Sequence, residues 1–126
     1  MSRATVRLGK VQLEIMKVLW QRGRATAREI TEELSRSQPI AHSTVQTLLR
    51  KLEAKGAVTH EVEDRTFLFR PLYQQAEVER TAARDLLTRV FNGSVYGLVA
   101  HLLQHETISG DELLRLRALV NAEKKP

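Results

Sequence analysis

At Gly56 the chain changes its period. Before it, three stretches repeat their apolar residues at the 3.6-residue spacing of a helix; after it, side chains alternate with the two-residue period of a strand. The first stretch, LGKVQLEIMKVLW from Leu8 to Trp20, carries one apolar set at Val11, Ile15, Val18 and Leu19 and a second at Leu13, Met16 and Trp20. Two apolar faces make this a central helix. The second opens with Thr26-Ala27-Arg28-Glu29, a capping box in which hydroxyl and carboxylate satisfy orphan backbone donors reciprocally, and turns Ala27, Ile30 and Leu34 to the core. Pro39 interrupts the chain, and a third helix runs from about Ser43 to Lys55, closed by Gly56 where a left-handed cap is expected. Then AVTHEV alternates, Glu63-Asp64-Arg65 turns tightly, and TFLFRPL alternates again with Phe67 and Phe69 on one face, which reads as a β-hairpin. Three short helices and a hairpin within about 65 residues is the order of a winged helix-turn-helix, with the hairpin as the wing.

Downstream the pattern is helical only. One helix spans about Gln74 to Phe91 and stops at Asn92-Gly93; another spans about Ser94 to His105; the last opens with a second capping box, Ser109-Gly110-Asp111-Glu112. This leucine-rich segment is well below the ~70 residues that usually sustain a core alone, so pairing with a second copy is expected. The expected fold is therefore mainly α with a small β-hairpin wing: a winged helix-turn-helix DNA-binding domain over residues 1–73 and a three-helix dimerisation domain over residues 74–126. The seam residues are Leu86, Val90, Phe91, Val95, Leu98, Val99, Leu102, Leu103, Leu113, Leu116, Leu119 and Val120; Leu114 joins them on the last helix, and Ala122 to Pro126 reads as a frayed end.

A chain of 126 residues excludes a large catalytic barrel or a dinucleotide fold. Its 42% apolar and 28% charged content suits a folded domain. With no cysteine there is no disulfide framework, thiol nucleophile or thiolate metal site. No apolar run approaches the ~18 to 20 residues of a membrane span, and MSRATVRLGK lacks the apolar stretch of a signal peptide, so a cytoplasmic protein without membrane insertion is expected. The net charge of +5 is unevenly placed: residues 1–73 hold 13 Lys and Arg against 8 Asp and Glu, whereas residues 74–126 hold 7 of each. A basic module joined to a neutral one suits a polyanion partner for the first and a protein partner for the second.

On the third helix Val45, Leu48, Leu49 and Leu52 form the inward stripe, leaving Ser43, Thr44, Gln46, Thr47, Arg50 and Lys51 outward. Hydroxyls and Gln suit phosphates and base edges, Thr methyls suit thymine, and Arg suits guanine or phosphate. No acidic residue lies between Glu33 and Glu53 to repel a DNA backbone. Arg65 at the wing tip is the natural phosphate contact, with pairing to Glu63 or Asp64 as its structural alternative; Arg22, Arg24 and Arg28 surround the turn into the second helix and serve either to position the backbone or as plain surface charge. Catalytic motifs are missing: there is no GxSxG, phosphate loop or HExxH. His101 and His105 have the i, i+4 spacing of a zinc pair, but they flank the apolar row and read better as interface residues, so no metal, cofactor or enzymatic activity is expected. The rival reading is a winged-helix protein adaptor, which has no salt-dependent DNA affinity.

These residues resemble the penicillinase and methicillin-resistance repressors, a group of dimeric bacterial winged-helix transcriptional repressors. The resemblance runs from Leu8 to about Val120. It rests on LEIMKVLW (Leu13 to Trp20), STVQTLLRKLEAKGAV (Ser43 to Val58), RTFLFRP (Arg65 to Pro71), FNGSVYGLVAHLL (Phe91 to Leu103) and ISGDEL (Ile108 to Leu113). It implies that Ser43, Thr44, Thr47 and Arg50 or Lys51 contact operator DNA, that Arg65 is the wing contact, and that the last helices form an intertwined homodimer. Such a dimer holds two recognition helices about 34 Å apart on a pseudo-palindrome with TACA and TGTA half-sites. Members repress genes for β-lactamases, penicillin-binding proteins or their sensors, and some are inactivated when a membrane sensor's zinc-protease signal leads to cleavage in the dimerisation helices. Here the bond at the position of the members' Asn-Phe is His101-Leu102, so the candidate proteolytic switch departs from the family's scissile pair. The copper-responsive branch relies on cysteines that this chain lacks. Gly9 and Gln12 stand where many members open the first helix with Ser or Thr and Glu.

Overall fold

The structure is a computed structural model that describes residues 7–123; the frayed end expected over Ala122–Pro126 lies mostly outside that range. In chain order the elements are α1 (Lys10–Arg22), β1 (Ala25–Thr26), α2 (Ala27–Ser35), α3 (His42–Ala54), β2 (Val58–Glu63), β3 (Thr66–Pro71), α4 (Gln75–Arg89), α5 (Val95–His105) and α6 (Gly110–Ala122). They form two compact units, divided within α4 between Ala82 and Ala83.

The first unit is built around the helical stripes. Ile15, Met16 and Leu19 from α1, Ile30 from α2, and Val45, Leu49 and Leu52 from α3 are fully buried, and Val58, Phe69 and Tyr73 close the core from the sheet side. Val78 in the first turns of α4 packs onto the same cluster. Trp20 Nε1 donates to the Tyr73 carbonyl at 2.7 Å, and the Tyr73 hydroxyl donates to the Lys55 carbonyl at 3.2 Å, so one residue ties the end of the hairpin to α1 and to the end of α3.

Local chemistry sets where the helices begin and end. α1 starts two residues later than its period suggests, because Gly9 acts as N-cap and its N–H donates to Gln12 Oε1 at 2.9 Å. The capping box of α2 is complete: Thr26 N–H donates to Glu29 Oε1 (2.8 Å) and Glu29 N–H donates to Thr26 Oγ1 (3.1 Å). After α3, Gly56 takes φ +80° and the Ala57 N–H returns to the Leu52 carbonyl at 2.9 Å, the six-to-one bond of a left-handed helix stop.

The sheet has the order β1-β3-β2, all antiparallel. Register runs from Val58 opposite Pro71 to Glu63 opposite Thr66, so only Asp64 and Arg65 form the turn. Both have positive φ, 51° and 64°, the backbone of the two-residue hairpin turn whose twist matches that of its strands. Strand β1 was not expected from sequence. Its two residues lie against β3, Ala25 opposite Phe69 and Thr26 opposite Leu68, so the N-cap of α2 is anchored to the wing.

In the second unit Asn92 (φ 52°) and Gly93 (φ 80°) turn the chain after α4. Ser94 caps α5 by accepting from Gly97 N–H at 2.9 Å, and Ser109 caps α6 by accepting from Glu112 N–H at 3.1 Å. No residue of α5 or α6 is buried. Among the described residues no helix is long and apolar enough to cross a membrane.

Candidate nucleic-acid interface

Every outward residue expected on α3 is exposed: Ser43, Thr44, Gln46, Thr47, Arg50 and Lys51. The reason is the helical period, since Val45, Leu49 and Leu52 are held inside and Leu48 is half-buried between the two faces. A cleft of about 560 Å³ opens between α3, the N-terminus of α2 and the wing. It is lined by Thr26, Ala27 and Arg28 of the α2 start, His42, Gln46 and Arg50 of α3, and Arg65, Thr66, Phe67 and Phe69 of the hairpin.

Gln46, Arg50 and Arg65 are thus brought together, while Ser43, Thr44, Thr47 and Lys51 stand exposed on α3 outside the cleft lining. His42 was missed by the sequence reading. Its signal was available in the spacing, because His42, Gln46 and Arg50 repeat at four residues and share one row.

The charge of the cleft follows from which arginines are already engaged. Arg22 is held by Glu29 (3.2 Å) and Glu33 (3.9 Å), and Arg70 by Glu61 (3.5 Å). Among the described residues Arg28, Arg50 and Arg65 have no ion-pair partner, nor do Arg24 and Lys51 outside the cleft. In particular Arg65 pairs with neither Glu63 nor Asp64. Three free guanidiniums therefore face one concavity that no carboxylate lines, which favours an anion. Lys55 is occupied in the fold: its Nζ donates to the Arg7 carbonyl (2.9 Å) and to Gln12 Oε1 (3.1 Å).

One contact ties the wing to α3 and another joins the wing's two strands. His60 Nδ1 lies 2.8 Å from Glu53 Oε1 at the end of α3, and its ring stacks on Phe67 with centroids 3.9 Å apart. At the other rim Glu29 completes the cap beneath Arg28. Its carboxyl is held below the usual value, chiefly by the hydrogen bond from Thr26 N–H and further by Arg22, with burial opposing.

The residues expected at a dimer seam are exposed in the single chain: Leu86, Val90, Val95, Val99, Leu102, Leu103, Leu113, Leu116, Leu119 and Val120, with Leu98 and Phe91 half-buried. Tyr96 and Leu114 extend the apolar surface. His101 and His105 form a pair with ring centroids 4.4 Å apart, and His101 meets Phe91 at 5.9 Å. Among the described residues no three His, Asp or Glu side chains gather as a metal ion requires.

Comparison with known proteins adds sequence and fold. The model of the family described as penicillinase repressor matches residues 8–122. The penicillinase repressor of Bacillus licheniformis is 29% identical over 117 residues, covering 93% of this chain and 91% of its own. The methicillin resistance regulatory protein MecI of Staphylococcus aureus is 24% identical over 121 residues, covering 96% of this chain and 98% of its own. Among solved structures, the DNA-binding domain of the repressor BlaI is similar with a TM-score of 0.53 and 31% identity, covering 61% of this chain and 93% of that one. A mutant form of MarR from E. coli, solved in complex with operator DNA, shares the fold alone, with a TM-score of 0.54 and 18% identity over 91% of this chain and 74% of that one.

Proposed function

Because the chain belongs to the penicillinase repressor family, we propose that it is a sequence-specific DNA-binding repressor that acts as a homodimer by occupying promoter DNA, without chemistry of its own. The observation that carries this reading is the set of unpaired arginines, Arg28, Arg50 and Arg65, around the cleft between α3 and the wing. In this reading α3 enters the major groove, with Ser43, Thr44, Gln46, Thr47, Arg50 and Lys51 at base edges and phosphates, while Arg65 meets the backbone from the wing.

The apolar rows of α4, α5 and α6 support self-association, since side chains such as Leu102 and Leu119 stay 44% and 59% exposed. Joining two modules matters for affinity. One winged helix makes a small interface, whereas linking two raises the effective concentration of the second enough for affinity to reach the ~10⁻⁸ M range of specific regulators. Separation of the dimer then releases DNA from a distance, and His101-Leu102 is the bond at which family-type proteolysis, signalled by a membrane sensor, acts. That bond lies within α5, so cleavage there requires local unwinding first. Target genes of the β-lactamase, penicillin-binding-protein or related stress type, and a cytoplasmic location, belong to the same reading.

The test is fluorescence anisotropy of a labelled duplex carrying TACA and TGTA half-sites against a scrambled duplex, in salt from about 50 to 200 mM. A preference of about 10³ or more for the palindrome is expected. Absence of binding at the lowest salt overturns the reading in favour of a protein-binding role for the winged helix.

A further inference from the structure

Among the residues that line the cleft, His42 is the one imidazole; the other ionisable groups there are arginines. It opens α3, is exposed, and shares its row with Gln46 and Arg50. His42 Nδ1 stands 3.1 Å from Thr31 Oγ1, and that same hydroxyl lies 2.8 Å from the Ala27 carbonyl oxygen. A carbonyl oxygen only accepts. The single hydroxyl proton of Thr31 therefore goes to Ala27, and Thr31 Oγ1 accepts from the Nδ1–H of His42. With Nδ1–H given to Thr31, Nε2 is the ring nitrogen left to meet a ligand.

Charged groups lie on each of the three elements that line the cleft. On α2 they are Arg28 and, next to Thr31 in sequence, Glu32; on α3, Arg50; on the wing, Arg65 with Glu63 and Asp64 at its turn. Of these only the arginines line the cleft, and none of the described ion pairs joins His42 to a carboxylate. A phosphate held among these three guanidiniums would also face the ring, and an imidazolium is the form of the ring that attracts it.

We propose that His42 is a proton-linked DNA contact: it binds as the imidazolium, with Nε2–H donating to a phosphate oxygen, and the proton comes from solution. This deepens the DNA-binding reading and rests on it. It makes operator affinity rise as pH falls, through a residue that also holds the start of α3 against α2.

The experiment measures anisotropy of the labelled TACA/TGTA duplex between about pH 5.5 and 8 for the wild-type chain, His42→Asn and His42→Lys. Asparagine keeps a donor for Thr31 and has nothing to titrate; lysine carries a fixed charge. Wild-type affinity is expected to fall about tenfold from low to high pH, with His42→Asn weak and nearly flat and His42→Lys tight and nearly flat. At low pH the wild-type salt slope should exceed that of His42→Asn by about 0.9 per protomer. Circular dichroism at each pH checks that all three proteins are folded. Parallel pH profiles for wild type and His42→Asn, or a flat wild-type profile, overturn the assignment of His42 while leaving DNA binding intact. No binding by any of the three at about 50 mM salt overturns the DNA-binding reading and this inference together.

Discussion

The two compact units treat their apolar side chains differently. In the first, Ile15, Leu19, Ile30, Leu49 and Leu52 have no exposed surface; in the second, Leu102, Leu113, Leu116 and Leu119 sit at similar helical spacing yet remain between 38% and 59% exposed. The 3.6-residue period says which side chains share a face, not what covers it. In the first unit the cover is intramolecular, since helices α1 to α3 pack on one another and Val58, Phe69 and Tyr73 close them off. In the second each short helix presents an apolar face that stays largely exposed among the described residues. Full burial of such a leucine contributes about 1.5 to 3 kcal/mol, so this surface holds a large stabilisation that a second copy can realise.

The contrast breaks most directly on paired truncations. Leu49→Ala should cost about 2 to 5 kcal/mol in urea unfolding at any protein concentration, because it leaves a cavity in a closed core. Leu116→Ala should cost less than about 0.5 kcal/mol in dilute protein and much more once concentration favours association. Equal losses for the two in dilute solution mean that the second unit has a core of its own.

A smaller effect separates the units by how each serves DNA. Arg50→Ala should weaken operator binding by about 1 to 3 kcal/mol if its guanidinium reads a base, or lower the salt slope by about 1 if it meets phosphate. Its oligomeric state in sedimentation should not change. Leu102→Asp should act the other way, yielding monomers with an unchanged winged-helix circular dichroism spectrum and with binding weakened through lost coupling. A Leu102→Asp protein that sediments as a dimer moves the seam elsewhere.

The smallest expected effect is confined to the first unit. Glu29 has its pKa lowered in the folded state, so its contribution is fully present above the unfolded value of about 4.5 and is lost as pH falls through the lower folded value. Thermal unfolding of the wild type should therefore lose stability over that acidic window more steeply than Glu29→Gln does, and identical acid limbs mean that the α2 cap is not coupled to this charge.

Much of this was legible beforehand, and the legible parts share a cause. The Thr26–Glu29 box, the left-handed stop at Gly56 and the turn within Glu63-Asp64-Arg65, shortened by one residue because Glu63 ends β2, depend on residues within about five positions of each other, where sequence spacing is spatial spacing. The outward row of α3 is legible for the same reason. The corresponding box at Ser109 forms only its serine half, because a capping box needs a side-chain rotamer that composition does not dictate.

Sequence by itself determined the order of the helices and the hairpin, the faces of the helices, the basic character of the first part and the family resemblance, since each is written in local periodicity or local motif. Tertiary structure alone decided that Ala25 and Thr26 pair with β3 more than 40 residues away, that Tyr73 joins Trp20 to Lys55, and that Arg22 is neutralised while Arg28, Arg50 and Arg65 stay free around His42. Those contacts arise when the buried stripes of α1, α2 and α3 close on the sheet, and a period of 3.6 or 2 carries no record of which distant side chain the closure will bring alongside.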